Sequence, residues 1–193
     1  MPKSPNASDR ELAELALQLG RMVYADCCAG GLSHGQWASL RFFARANRFS
    51  RTVSAFADYH ATTRATASQT ISTLVKQGYL SRYRSRRDGR SRRFDLTQPS
   101  RTLLKDDPFR SVIAAAQGLA PLARDTMVQC LRQMLDELSA VRGRGLFGIC
   151  HLCQHLQITE ANSEEIYACG LLHEPLEPEE TRQICTRFVS KAG

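Results

Sequence analysis

The sequence predicts a mainly α-helical fold with a small β-hairpin (an α+β class), followed by a short C-terminal extension that contains cysteine. Three observations predict it. Apolar residues recur at three- and four-residue spacing over most of the first 142 residues. A basic middle segment carries an alternating strand pattern and an Asp-Gly turn signal. Four of the seven cysteines come after residue 149.

The helices are predicted from these apolar repeats and from their capping signals. The first is expected to start with a capping box, because Ser8 precedes Glu11 by three residues. The predicted helices cover residues 8–28, a segment from Ser33, residues 51–60, a segment from Thr62 or Thr63 to Gly78, residues 107–119 and residues 122–141. Between the fourth and fifth, residues 79–84 and 93–97 are expected to pair as a hairpin, with Asp88-Gly89 in its turn.

Positive charge is concentrated in the middle of the chain. Residues 41–101 hold 14 Lys or Arg and 3 acidic residues, a net charge of +11, whereas the rest of the chain carries −4. Thirteen of the 14 are Arg, whose guanidinium forms forked contacts with phosphates and guanine edges. Charge segregated in this way indicates a polyanionic partner, although Arg-rich surfaces can also be solvated without a partner.

Two short helices followed by a basic hairpin indicate a winged helix-turn-helix. The helix before Gly78 places Ala67, Ile71, Leu74 and Val75 on one face and short polar residues on the other, which suits insertion into a major groove. The hairpin tip can reach phosphates or a minor groove. The candidate DNA-binding residues are Arg64, Thr66, Ser68, Gln69 and Thr73 on the helix and Arg86, Arg87, Arg90, Arg92 and Arg93 in the hairpin.

The hairpin motif resembles the MarR family of bacterial transcription regulators. Its wing carries Asp-x-Arg followed by Leu-Thr, here Asp88-Gly89-Arg90 and Leu96-Thr97. The resemblance covers about residues 8–142. The sequence departs from the family pattern after Leu96-Thr97. The family often has a glycine there, whereas this chain has Gln98-Pro99-Ser100. The resemblance implies a homodimer that binds a pseudo-palindromic operator in double-stranded DNA, a transcription regulator rather than an enzyme. Repression is the expected action, and activation stays open as the alternative.

Four segments follow from this organisation. Residues 1–32 are expected to be an N-terminal dimerisation helix and residues 33–98 the DNA-binding domain. Residues 99–142 are expected to complete the helical dimerisation region, and residues 143–193 to form a small metal-binding extension after the glycines at 143, 145 and 148. The apolar stripe of residues 122–141 supports dimerisation on its own, although contact with the first helix of the same chain explains it equally. Cys130, within that stripe, is expected in the core.

The extension, here called the tail, contains Cys150, Cys153, Cys169 and Cys185, with the spacing C-x2-C-x15-C-x15-C. Four thiols in so short a segment indicate a metal centre, and a bound metal would also help a tail with little core to fold. The alternative is four incidental core thiols. Cys185 is expected on a helix that begins near residues 177–180.

Two kinds of metal centre remain open. Structural zinc with four thiolates usually uses two C-x2-C pairs, and the second pair is absent. One CxxC with two distant cysteines favours an iron–sulfur cluster, and the tail also resembles short iron–sulfur-binding tails with a CxxC, a Cys-Gly and a final Cys. Zinc is the alternative. One of His151, His155 and His173 could replace a thiolate, although each is more often solvated or a hydrogen-bond donor.

The leading hypothesis is therefore a regulator whose tail senses iron or redox state. Loss of the cluster would shift the spacing of the two recognition helices, because the tail follows the dimerisation helices directly. A second hypothesis keeps zinc structural and places a small ligand in a cleft lined by Trp37, Phe42, Phe43 and Phe49. Cys27 and Cys28 are candidate redox sensors. A third hypothesis, a thiol redox or electron-transfer protein, leaves the Arg-rich hairpin unexplained.

The compartment is predicted from what the sequence lacks. No run of about 18 apolar residues is present, so no membrane partner is expected. The first ten residues are polar, without the apolar core of a signal peptide. We expect a cytoplasmic, nucleoid-associated bacterial protein with reduced cysteines.

Overall fold

The computed structural model describes residues 6–26, 31–84, 92–161 and 164–191. The first four helices precede a hairpin, and three more helices follow it. The helices are α1 (Ala7–Asp26), α2 (His34–Arg45), α3 (Val53–Tyr59), α4 (Arg64–Lys76), α5 (Gln98–Leu103), α6 (Arg110–Gln117) and α7 (Pro121–Val141). The fold is mainly helical with small antiparallel sheets, and of these sheets the sequence predicted only the hairpin.

Capping explains where the helices begin. Ser33 forms the N-cap of α2 in a capping box with Gln36, and Thr63 caps α4. At α1 the predicted cap was wrong. The side chain of Asn6 accepts from the Asp9 N–H at 2.9 Å and the Asp9 carboxylate accepts from the Asn6 N–H at 2.9 Å, so the cap lies two residues before Ser8.

The hairpin pairs β1 (Leu80–Arg84) with β2 (Arg92–Leu96) in antiparallel register, from Leu80 opposite Leu96 to Arg84 opposite Arg92. It begins at Leu80, just after Gly78, whose φ of +77° ends α4 in a conformation that favours glycine. The predicted hairpin is confirmed, and its turn residues 85–91 lie outside the described residues.

The hairpin is followed by a helix that the sequence pattern did not predict. α5 carries Pro99 within its first turn, where the missing N–H costs nothing. A short 3-10 turn, Leu104–Asp106, leads on to α6. The Arg41 Nε–H donates to Asp107 at 2.8 Å, so this connection is fixed to α2.

The tail is built from short strands rather than helices. A two-stranded sheet pairs β3 (Gly148–Ile149) with β7 (Ile184–Cys185), and a three-stranded antiparallel sheet has the order β4 (Leu156–Ala161), β5 (Glu164–Cys169), β6 (Glu174–Leu176). Cys185 therefore lies on a strand. The predicted helix around it was wrong, because the helical segment is only the 3-10 turn Pro178–Arg182.

The main hydrophobic core belongs to the winged helix. Its fully buried side chains include Trp37, Leu40, Phe42, Phe43, Ile71, Leu74 and Leu80. Ile184 of the tail is 5% exposed and is part of the same core. The tail thus packs against the winged helix.

By contrast, α1, α6 and α7 expose their apolar faces. Neither α6 nor α7 has a buried residue. Exposed apolar side chains on these helices include Leu15, Met22, Ile113, Leu122, Met127, Leu135, Leu138 and Val141. Cys130 of α7 is exposed, so its predicted place in the core of a single chain was wrong. Among the described residues, no helix is long and apolar enough to cross a membrane.

Candidate DNA-binding surface and cysteine site

The fourth helix has the expected division into two faces. Ala67, Ile71 and Leu74 are buried against the core, and the N-cap Thr63 accepts from the Thr66 N–H at 3.1 Å. All five predicted DNA-binding residues of this helix are exposed: Arg64, Thr66, Ser68, Gln69 and Thr73. The structure thus places them together on the solvent face.

Two hydroxyl groups on this face, those of Thr66 and Thr73, already have hydrogen-bond partners in the chain. The Thr73 Oγ1–H donates to the Gln69 carbonyl at 3.0 Å, and the hydroxyls of Thr66 and Thr63 lie 2.9 Å apart. Gln69 has an amide that both donates and accepts, the chemistry that recognises adenine edges in a major groove.

The wing places further positive charge beside this helix. Arg82 and Arg84 on β1 and Arg92 on β2 are exposed. Arg86, Arg87 and Arg90, which were predicted to reach the DNA, lie outside the described residues. Arg93 is half-buried, and its guanidinium donates to the carbonyl oxygen of Arg48, so it also anchors the wing.

The base of the wing is held by residues 46–51, which we call the linking loop. The Arg51 guanidinium contacts the Asp95 carboxylate at 2.8 Å, and the carbonyl oxygen of Arg51 accepts from the Phe94 N–H at 3.0 Å. Arg101 lies 3.7 Å from the same carboxylate. These contacts are non-local, and the sequence pattern gave no signal for them.

The four tail cysteines come together in space. Cys150, Cys153 and Cys185 are buried, Cys169 is half-buried, and all four are free thiols. The Cys153 N–H donates to the Cys150 carbonyl at 2.8 Å, which forms the turn of the CxxC. Strand pairing sets Cys185 opposite Gly148. A Cβ at position 148 would lie 2.8 Å from the Phe188 ring, so glycine is needed for Phe188 to pack against this strand.

The four cysteines line one cavity. Its other walls are mainly apolar, and two of its residues, Asn47 and Phe49, come from the linking loop. The lining residues besides the cysteines and these two are His155, Leu156, Leu171, Leu172, Leu176 and Arg187. The arrangement offers thiol ligands in an apolar pocket.

Burial raises the pKa of the Cys150 thiol to about 12, and the neighbouring Cys185, Cys153 and Cys169 add to the effect. The metal-free chain therefore keeps Cys150 protonated at neutral pH, and a coordinated cation would deprotonate it. Within the described residues, no three His, Cys, Asp or Glu side chains are already placed to hold a metal ion. The structure thus brings the four thiols to one cavity without the geometry of a formed ion site.

The three candidate histidines are placed differently. His155 lines the cysteine cavity. His151 Nε2 lies 2.9 Å from the hydroxyl oxygen of Thr181, which gives it a hydrogen-bonding partner in the tail. His173 is exposed and is not part of the cavity lining. His155 is therefore the histidine best placed to assist the thiols.

The predicted aromatic cleft is not formed. Trp37, Phe42 and Phe43 are at most 2% exposed and belong to the core, while Phe49 lines the cysteine cavity instead. Core packing therefore explains the spacing of the first three. Cys27 and Cys28, the candidate redox sensors, lie outside the described residues.

Residues 30–91 match the model of the MarR family, a range that includes α2, α3, α4 and the first strand of the hairpin. No curated protein matches the chain. The family model thus supports the resemblance for about a third of the sequence.

Solved structures show the same fold over about 70% of the chain. A MarR transcriptional regulator from Methanosarcina mazei Go1 is 20% identical, covering 68% of this chain and 99% of that one, with a TM-score of 0.55. Sco3205, a MarR family transcriptional regulator from Streptomyces coelicolor in complex with DNA, is 19% identical over 72% and 92%, with a TM-score of 0.56. The MepR–DNA complex of S. aureus is 16% identical over 69% and 96%, with a TM-score of 0.56.

Proposed function

We propose that the chain is a homodimeric, sequence-specific DNA-binding transcription regulator of the MarR type, acting as a repressor. One observation carries the proposal: a helix with five exposed polar or basic side chains stands beside a wing that exposes three arginines. A recognition helix of this kind reads base edges, and a basic wing contacts the backbone. Two of the solved proteins with this fold are complexes with DNA.

The dimer is supported by the exposed apolar faces of α1, α6 and α7. Leu122 is 80% exposed and Val141 is 86% exposed. Apolar side chains exposed along several helices in this way mark a surface that another protein covers. A second copy of the chain would cover these faces, and a two-fold dimer fits a pseudo-palindromic operator. In such a dimer Cys130 would be covered by the partner.

We further propose that Cys150, Cys153, Cys169 and Cys185 hold an iron–sulfur cluster. The shared cavity, the four free thiols and the mainly apolar lining support this, and the single CxxC motif favours a cluster over structural zinc. A cluster supplies a group that is gained or lost with iron supply and redox state. The tail would thus provide the signal to which the DNA-binding domain responds.

The DNA-binding function is tested by selecting duplexes from a random pool with the full-length protein. We expect enrichment of two inverted half-sites about 10 base pairs apart. The selected duplex should bind at least about a thousandfold more tightly than a random duplex at the same salt concentration. Absence of binding to any duplex at low salt would overturn the proposal and favour a thiol redox protein instead.

A further inference from the structure

We propose that the linking loop, residues 46–51, couples the cysteine site to the wing, so that filling the site orders the wing and tightens DNA binding. This inference rests on the proposed function, because it needs both a DNA-binding wing and a metal centre in the tail. The loop contacts the tail on one side and the wing on the other.

On the tail side, the backbone of the loop is bonded to β7. The Asn47 N–H donates to the Ile184 carbonyl at 3.0 Å, and Ala46 forms an isolated parallel bridge with Ile184. The buried Ser50 hydroxyl oxygen accepts from the Thr186 N–H at 3.0 Å. Cys185 stands between these two anchors, so a ligand of the cavity lies within the segment that is fixed to the loop.

Side chains extend the same contact. The Arg48 guanidinium pairs with the Glu180 carboxylate and donates to the Pro175 carbonyl oxygen. It also lies over the ring of Phe49, 4.6 Å from its centroid. Phe49 and Asn47 line the cavity beside the four cysteines, so the loop itself is one wall of the site.

On the wing side, the same few residues hold β2. The Arg48 carbonyl accepts from the Arg93 guanidinium, the Arg51 carbonyl accepts from the Phe94 N–H, and the Arg51 guanidinium pairs with Asp95. Arg48 therefore joins the tail through its side chain and the wing through its carbonyl.

The linking loop connects the cysteine site to the wing more directly than the dimerisation helices would, which are the connection expected from the sequence. The tail follows the dimerisation helices in the chain, but its described contacts include the core and linking loop of the winged helix. A group bound by the four thiols would restrain Cys185 and the loop wall together. A restrained wing loses less conformational freedom on binding phosphate, so affinity rises.

The experiment compares metal-free protein with protein reconstituted anaerobically with iron and sulfide. Affinity for a random duplex of about 30 base pairs is measured by fluorescence anisotropy. The wild-type protein should bind at least about fivefold more tightly when loaded. Arg48→Ala and Ser50→Ala should retain iron and sulfide, and the effect of loading should shrink to less than about twofold in both.

Ser50→Ala removes no charge, so it separates coupling from any direct contact of Arg48 with DNA. The matched control is Arg182→Ala. Arg182 is an exposed tail arginine, and no hydrogen bond or ion pair joins it to the linking loop within the described residues. This variant should keep the full effect of loading.

The outcomes separate the two proposals. If wild-type protein retains iron and sulfide but its DNA affinity is unchanged or weaker, the coupling is wrong and the metal centre stands. If Arg48→Ala and Ser50→Ala respond to loading as fully as wild type, the route through the linking loop is wrong. If wild type retains neither iron nor sulfide, the proposed cluster itself is wrong and the coupling falls with it.

Discussion

The backbone N–H of Asn47 donates a hydrogen bond to the carbonyl of Ile184 at 3.0 Å, across 137 positions of the chain. This contact brings a strand of the cysteine-containing tail against the loop that follows α2. Ile184 is also buried in the core of the winged helix. The tail is therefore packed onto the winged helix, and the two proposed functions share one structural unit.

Gln69→Ala tests base recognition by α4. Gln69 is exposed on the face opposite Ile71, and loss of its amide should cost about 1–3 kcal/mol at particular base pairs. Affinity for the selected operator should fall while affinity for random duplex stays the same, as measured by anisotropy. Equal losses on both duplexes would remove Gln69 from the base-reading surface.

Arg92→Ala tests the wing. Arg92 is exposed on β2, and its loss should weaken binding to all duplexes and lower the slope of log affinity against log salt by about 1. The matched control is Arg182→Ala, in the exposed tail, which should leave the slope unchanged. A loss confined to the operator would show that Arg92 reads bases instead.

Leu135→Glu tests the dimer. Leu135 is 45% exposed on α7 in the single chain, so the substitution should leave the fold of each subunit intact. In the dimer it would bury two carboxylates and lose two leucine contacts worth about 1.5–3 kcal/mol each, raising the dimer dissociation constant more than about a hundredfold. Analytical ultracentrifugation should show monomers. Gln129→Glu lies on the face of α7 opposite the centre of its apolar stripe and should remain dimeric. A dimeric Leu135→Glu would place the interface elsewhere.

His60 should make the fold sensitive to acid. Burial lowers the pKa of His60 to about 4, below the ordinary value of 6.5 that it regains on unfolding. The unfolded chain therefore binds the extra proton first, so stability is intact above pH 6.5 and is lost as pH falls towards 4. Between pH 7 and pH 5 the wild type should lose about 2 kcal/mol more unfolding free energy than His60→Gln. Urea titrations of both proteins at both pH values check this, and an equal loss in the two would show that His60 is not the source of the acid sensitivity.

Local features were predictable because their causes are local. The Ser33 and Thr63 caps, the Gly78 stop and the alternation of the hairpin all follow from short-range chemistry. The cap of α1 was misplaced because Asn6–Asp9 and Ser8–Glu11 both have the spacing of a capping box, and sequence alone does not rank them. α5 was missed because its six residues are too few to show a periodicity.

The site was predictable only in its parts. The spacing of polar residues on α4 identified the first set, which the structure shows to be exposed. The clustering of four cysteines in the sequence identified the second set, which the structure shows to line one cavity. The docking of Ile184 into the core and the pairing of Arg48 with Glu180 join residues more than 130 positions apart. No periodicity or motif encodes such contacts, so the linking loop could only be found in the structure.

We propose that one chain carries both a DNA-reading surface and a metal centre held by four cysteines. The most direct test is the visible spectrum of anaerobically purified full-length protein, with iron, sulfide and zinc measured on the same sample. We predict a brown protein that contains iron and sulfide, both of which are lost in Cys153→Ser but retained in Cys130→Ser. A colourless wild-type protein, with zinc alone or with no metal, would show that the four cysteines hold no iron–sulfur cluster.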